Sequence, residues 1–246
     1  ATSASAVPVY YSNSTAGKCL QDVKFIKNTI SGGFVNMCFY TSSTVGTNFM
    51  GSVTIDSNTM TLGYRGGLAR GVDYNSSYYM YFPSISYNTI IGRTGGTGWQ
   101  YGICLGSVSQ PPGSYPSYYD VVDVMQNNKI ILQTNGNYGC GIWLGYYLNY
   151  YSSLGVGGAG TQSLIANNEI IHNTTNCYSY GLYSYYSKAK IINNSIYLKN
   201  TNTSYQLYGM YINNSSTSYG PTTIMNNNIV VSPQDPAKGY PMYYSD

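Results

Sequence analysis

Few groups in this chain could do chemistry. The eight carboxylates are Asp22, Asp56, Asp73, Asp120, Asp123, Glu169, Asp235 and Asp246. Glycoside hydrolysis uses two carboxyl groups at a set separation, one as acid and one as base or nucleophile. Asp120 and Asp123 are the closest such pair, in a Pro- and Tyr-rich segment, and could meet across one turn. That spacing suits turn or capping residues better, because a short carboxylate readily accepts local backbone N–H groups. The one histidine, His172, has no nucleophile motif beside it and reads as a surface or turn residue near a strand end. Arg65, Arg70 and Arg93 align with no acidic cluster. Cys19, Cys38, Cys104, Cys140 and Cys177 never adopt Cys-x-x-Cys spacing, so no zinc site is expected. One or two disulfides and buried free thiols remain equally open readings for them. No catalytic residue, metal or cofactor is predicted.

The elements that would position these groups are set by a repeat. Asn28, Asn58, Asn88, Asn128, Asn168, Asn194 and Asn227 each sit in the frame apolar-x-x-Asn-x-apolar. The residue three before is Phe25, Ile55, Ile85, Met125, Ile165, Ile191 or Ile224, and the residue two after is Ile30, Met60, Ile90, Ile130, Ile170, Ile196 or Ile229. Such a repeat describes stacked units that cannot bury their apolar faces alone. Between successive asparagines lies a weaker motif of Gly followed by apolar residues: Gly33-Phe34, Gly71-Val72, Gly102-Ile103-Cys104-Leu105, Gly141-Ile142-Trp143-Leu144, Gly181-Leu182 and Gly209-Met210-Tyr211-Ile212. Period-two alternation and β-branched enrichment predict at least two short strands per repeat and no helix longer than a turn. The asparagines are expected at a bend, tolerating left-handed backbone and stacking as an amide ladder. Lys129 and Glu169 hold equivalent positions in neighbouring repeats and should form an exposed ion pair.

The segments Ile165-Ala166-Asn167-Asn168-Glu169-Ile170-Ile171 and Tyr101-Gly102-Ile103-Cys104-Leu105 resemble the repeat of right-handed parallel β-helix proteins, the pectate-lyase-like group. The resemblance implies an all-β fold: a single right-handed parallel β-helix, or solenoid, of about seven rungs with variable Tyr-rich loops. The group includes polysaccharide lyases and hydrolases, tailspikes, adhesins and structural proteins, so fold leaves function open. Its lyases use acidic calcium ligands and an Arg or Lys base, and no residue here matches them.

Composition narrows the classes. Charged residues are 8% of the chain, against about 25% in a typical soluble protein. The net charge of +3 has no Lys/Arg stripe behind it, which argues against nucleic acid. No apolar run reaches membrane-spanning length. The start at Ala-Thr-Ser-Ala-Ser-Ala suggests a mature end after removal of a secretion signal, hence an extracellular or cell-surface location. Asn13, Asn75, Asn173, Asn193, Asn202, Asn213 and Asn214 open Asn-x-Ser/Thr triplets and are possible glycosylation sites. The 31 tyrosines cluster, and Trp143, Tyr183 and Tyr211 should share one outward aromatic face fit for an interface or a glycan.

The expected organisation is an extended N-terminal segment (1–17), a β-helix (18–231) and a Pro/Tyr-rich tail (232–246). Neither tail holds an amphipathic helix that could cap the coil. Val7, Val9, Tyr10 and Tyr11 form a β-prone stretch suited to pairing with another subunit, and Tyr240, Tyr243 and Tyr244 offer aromatic anchors for the same contact. The first functional expectation is an exported, non-enzymatic structural protein that polymerises head to tail. The alternative is a glycan-binding or glycan-cleaving surface protein.

Overall fold

The computed structural model describes residues 6–13, 20–41, 51–71, 80–95, 98–108, 120–146, 148–149, 161–214 and 222–245. After β1 (Val9–Asn13) the strands come in threes. The first three are β2 (Leu20–Ile26), β3 (Thr29–Ser31) and β4 (Val35–Thr41). Next are β5 (Gly51–Asp56), β6 (Thr59–Thr61) and β7 (Gly66–Gly71), then β8 (Tyr81–Ser86), β9 (Thr89–Ile91) and β10 (Gln100–Ser107). They are followed by β11 (Val121–Gln126), β12 (Lys129–Leu132) and β13 (Tyr138–Tyr146), then β14 (Ser163–Ala166), β15 (Glu169–Thr174) and β16 (Tyr178–Tyr185). The last are β17 (Ala189–Ile192), β18 (Ser195–Asn200) and β19 (Leu207–Asn213), then β20 (Thr223–Met225), β21 (Asn228–Ser232) and β22 (Gly239–Ser245).

Each triplet visits three parallel sheets in the same order, so the architecture is all-β and solenoid-like. Sheet A holds β1 and every third strand to β22, eight in all. Sheet B runs from β2 to β20 and sheet C from β3 to β21, seven strands each. No α-helix occurs among the described residues. Each expected tail contributes a strand to sheet A: β1 pairs with β4 and β22 with β19. The strand-forming segment therefore reaches beyond 18–231 at both ends.

The asparagines sit between sheets B and C. Asn128 shows the pattern. Its Oδ1 accepts from the N–H and Nδ2 of Asn88, both at 3.0 Å. Its own Nδ2 donates to Asn168 Oδ1 at 2.9 Å and to the Ile85 carbonyl at 2.8 Å. Its N–H donates to Asn168 Oδ1, and its carbonyl accepts from the Glu169 N–H. The amide-to-amide bond recurs at each step from Asn28 to Asn227. Asn58 through Asn194 are buried, whereas Asn28, at the first circuit, is exposed.

The left-handed residue is not the asparagine but the one before it: Lys27, Ser57, Tyr87, Asn127, Asn167, Asn193 and Asn226 have φ of 53 to 60°. The asparagine must keep its N–H and carbonyl aligned with the neighbouring circuits, so the corner's strain falls one residue earlier. That conformation costs roughly 1–2 kcal/mol for a residue with a Cβ.

The two apolar columns face inward and form one continuous core. The Gly motif interlocks with the second of them. A Cβ on Gly102, Gly141, Gly181 or Gly209 would lie 2.3 to 2.5 Å from Cγ2 of Ile130, Ile170, Ile196 or Ile229. Glycine is needed in sheet A because an isoleucine of sheet C from the following circuit fills the space. In the first two circuits register places Asn36 and Gly67 in this column instead of Gly33 and Gly71. Lys129 and Glu169 pair in register, with Nζ 2.9 Å from Oε2 and both side chains about half exposed.

Replacing Asn168 by Ala removes two ladder steps and strands buried partners, including the Asn128 amide. The expected cost is about 1–3 kcal/mol, since buried donors lose their acceptor. Asn28→Ala, at the exposed end, should shift the denaturation midpoint much less. Equal shifts for the two variants would show that burial of the ladder does not matter.

Candidate functional site

The carboxylates do not converge. Asp120 and Asp123 diverge on either side of the start of β11. Asp120 is buried against Arg70, Nε to Oδ2 at 2.6 Å, and its Oδ1 accepts from the Met80 N–H. Arg70 also donates to Thr41 Oγ1. Arg70 meets this single acid rather than an acidic cluster: it lies near the end of a sheet A strand, and Asp120 precedes a sheet B strand across the same corner. Asp123 accepts from the Tyr81 hydroxyl. Burial and then that hydrogen bond push the Tyr81 hydroxyl up to about 12. Asp56 accepts from Ser84 Oγ and the Ser86 N–H. Among the described residues no group of three His, Cys, Asp or Glu side chains could hold a metal.

His172 is not a surface residue. In register it lies between Leu132 and Leu198, in an inward column of sheet C, and it is fully buried. Its ring fills the space at Gly139, where a Cβ would meet Cε1 at 1.9 Å. Neither ring nitrogen has a hydrogen-bond partner among the described residues, and burial alone lowers its pKa to about 4. Cys38, Cys104, Cys140 and Cys177 are buried, and burial raises the Cys104 and Cys140 thiols well above the ordinary range. Cys19 lies outside the described residues.

The aromatic residues build a second apolar layer on the outer face of sheet A. Trp143, Tyr183 and Tyr211 share one column, as alternation implies. They do not form an open face, however: Trp143 is 0% and Tyr183 5% exposed. Trp143 packs on Tyr101 and spans Gly106, where a Cβ would meet its ring at 2.7 Å. Towards the last circuits the layer opens into two stacked tyrosine rows. Tyr180, Tyr208 and Tyr240 stack at 5.2 and 5.0 Å, and Tyr183, Tyr211 and Tyr243 at 4.8 Å each. Edge-on contacts join the rows. Burial first, then the neighbouring tyrosines, holds the Tyr180, Tyr208 and Tyr211 hydroxyls above their usual range. Tyr115, Tyr118, Tyr119, Tyr150 and Tyr151 lie outside the described residues.

The outer face of sheet C carries an open groove of about 410 Å³ lined by Asn173, Thr175, Tyr197, Lys199 and Thr201. A smaller one beside it, also walled by Tyr197, includes a single carboxylate, Glu169. Of the glycosylation candidates, Asn173 and Asn193 are exposed and Asn202 and Asn213 half-buried. Asn214 is unsuited: it is buried, and its Nδ2 donates to Thr222 Oγ1 at 2.7 Å. Asn75 and the side chain of Asn13 lie outside the described residues.

The two ends differ from the middle. Inward residues that are sealed in central circuits are only partly covered in the first and last, as at Val9, Tyr11, Phe25, Ile224, Ile229 and Val231. On β22 the inward Met242 and Tyr244 are 52% and 50% exposed. Tyr10 and Tyr243 are exposed on the outer side of the same end strands, while Val7 and Tyr240 are half-buried. Apolar core thus reaches solvent at both ends. No described helix is long and apolar enough to cross a membrane. No family model, curated protein or solved structure matches this chain.

The buried histidine generates a pH dependence of defined sign. Above about pH 6.5 it is neutral in both folded and unfolded chains. Below that the unfolded chain takes up a proton that the core refuses until about pH 4. Its contribution to stability therefore falls as pH falls through this window, by up to about 3 kcal/mol. His172→Leu, matching Leu132 and Leu198 in its column, should flatten that part of the stability–pH curve. Unchanged slopes between pH 7 and 4.5 in urea titrations would refute the assignment.

Proposed function

We propose that this chain is an exported, non-enzymatic structural protein that assembles head to tail into an extracellular filament or surface layer. We further infer that the three sheets form a single right-handed parallel β-helix of about seven rungs, akin to the pectate-lyase-like group. The partner is a second copy of the chain. One observation carries the reading: the apolar core and all three sheets run out at both ends in edge strands that no described residue covers. Exposed edges and open core promote addition of another chain, and solitary solenoids need caps to stay soluble. The low charge supports the same reading, because like-charge repulsion between stacked copies is small.

A second reading, glycan binding, is favoured by the groove over Tyr197, where an exposed ring sits among amide, hydroxyl and ammonium groups. Cleavage has less support, since the groove region holds one carboxylate, already paired with Lys129. If glycan binding is the function, Tyr197→Ala should abolish retention on an oligosaccharide column while leaving assembly intact.

Light scattering and electron microscopy of the intact chain test the first reading. The expected result is concentration-dependent growth of filaments one coil wide, lost when Met242 and Tyr244 are both changed to Asp. A monodisperse monomer at high concentration would overturn it.

A further inference from the structure

Sheet A has one strand more than sheets B and C. The extra strand is β1, which pairs with β4 but has no companion strand at its level in the other two sheets among the described residues. This mismatch bears on how two copies can meet. If β22 of one copy paired with β1 of the next, sheet A would continue. Sheets B and C would then each lack a strand at the joint, with β20 and β2 held two strand spacings apart, about 10 Å. The edges would stay unpaired, and Asn227 could not reach the next Asn28.

The sequences of the two end strands remove the conflict. β1 lies in Pro8-Val9-Tyr10-Tyr11-Ser12 and β22 in Pro241-Met242-Tyr243-Tyr244-Ser245. The likeness is one of position as well as of type. Val9 pairs with Met37 and Tyr10 with Cys38. Met242 pairs with Met210 and Tyr243 with Tyr211, the residues of the same two columns seven and six circuits on. β1 therefore presents to β4 the side chains that the β22 of a preceding copy would present.

We propose that β1 is a built-in cap that imitates the C-terminal strand of a neighbouring copy and is exchanged for it on assembly. The proposal rests on the head-to-tail reading. With β1 displaced, β22 of one copy takes the edge of β4 in the next, β20 meets β2, and β21 meets β3. All three sheets then pass through the joint without a gap. Ile224 falls over Phe25 and Ile229 over Ile30, each apolar column continuing. The asparagine ladder continues as well. No described residue donates to Asn28 Oδ1, and the Asn227 N–H and Nδ2 are the donors that every other step of the ladder would aim at it. The exchange gives up five residue pairings between β1 and β4 and gains pairing in three sheets. While β1 is in place it blocks the sheet A edge, so an isolated copy resists addition until the strand leaves.

The test locks the cap. Tyr10 and Cys38 are partners in adjacent parallel strands, a separation of about 4.8 Å that lies within disulfide range. In the intact chain carrying Tyr10→Cys, oxidised glutathione should join the two thiols, as mass spectrometry of the linked peptides would verify. The oxidised protein is expected to keep its circular dichroism and lose filament growth in light scattering and microscopy. Reduction should restore growth in the same sample. If oxidised and reduced forms polymerise alike, β1 stays in place at the joint, and strand exchange is wrong while head-to-tail assembly stands. If the natural chain and the reduced variant both remain monomeric at high concentration, the assembly reading falls and the exchange with it.

Discussion

A primary amide has two protons to give and an oxygen with two lone pairs, and in a dry interior all four must be met. The stacked asparagines meet them by repetition. Each amide is bonded to the next, and its second proton goes to a carbonyl of the preceding circuit. Most of the local design follows from that constraint. The strand spacing is the ladder spacing. The corner before each asparagine takes the left-handed conformation because the asparagine itself cannot. The flanking residues are apolar because they wall off the amides from water. The ladder links circuits rather than residues near in sequence, across separations of 26 to 40.

How much of this was legible follows from where each constraint acts. The asparagine frame was legible because every member has the same neighbours on both sides. The Gly motif was legible in the later circuits, where Gly102, Gly141, Gly181 and Gly209 receive an isoleucine. It was misaligned earlier, because Gly33 and Gly71 are turn and strand-end residues while Asn36 and Gly67 hold the column. The left-handed corner was not legible: its side chain faces outward, so Lys27, Ser57 and Tyr87 serve alike. Strand alternation placed Trp143 and Tyr183 outward correctly. It said nothing about their burial, which depends on what packs over the sheet.

The polar groups of the interior were the least legible. Arg70 and Asp120 are 50 residues apart and occupy unlike positions in the repeat, so no column brings them together on paper. Their pairing comes from the corner between sheets A and B, where connections vary. A buried ion pair of this kind is weak evidence for stability in itself, because desolvation opposes the Coulomb attraction. It fixes a corner that the ladder does not reach. His172 was misread because a lone histidine near a strand end resembles a turn residue. In register it replaces a leucine.

The ladder also has direction, and this bears on assembly. Each asparagine from Asn28 to Asn194 donates to the one after it, so among the described residues the stack ends in an open acceptor at Asn28 and an open backbone donor at Asn227. Two copies meeting by their first circuits would oppose acceptor to acceptor. Two meeting by their last would oppose donor to donor, with parallel strands forced antiparallel. A two-fold contact at the ends is therefore disfavoured by the same bonds that hold the coil. A contact between unlike ends satisfies them and repeats by translation and rotation along the coil axis. Under the proposed head-to-tail reading, such a contact would give an open filament wherever its rotation does not close into a ring. A strand that occupies the acceptor end until a neighbour displaces it would keep that growth from beginning wherever two copies collide.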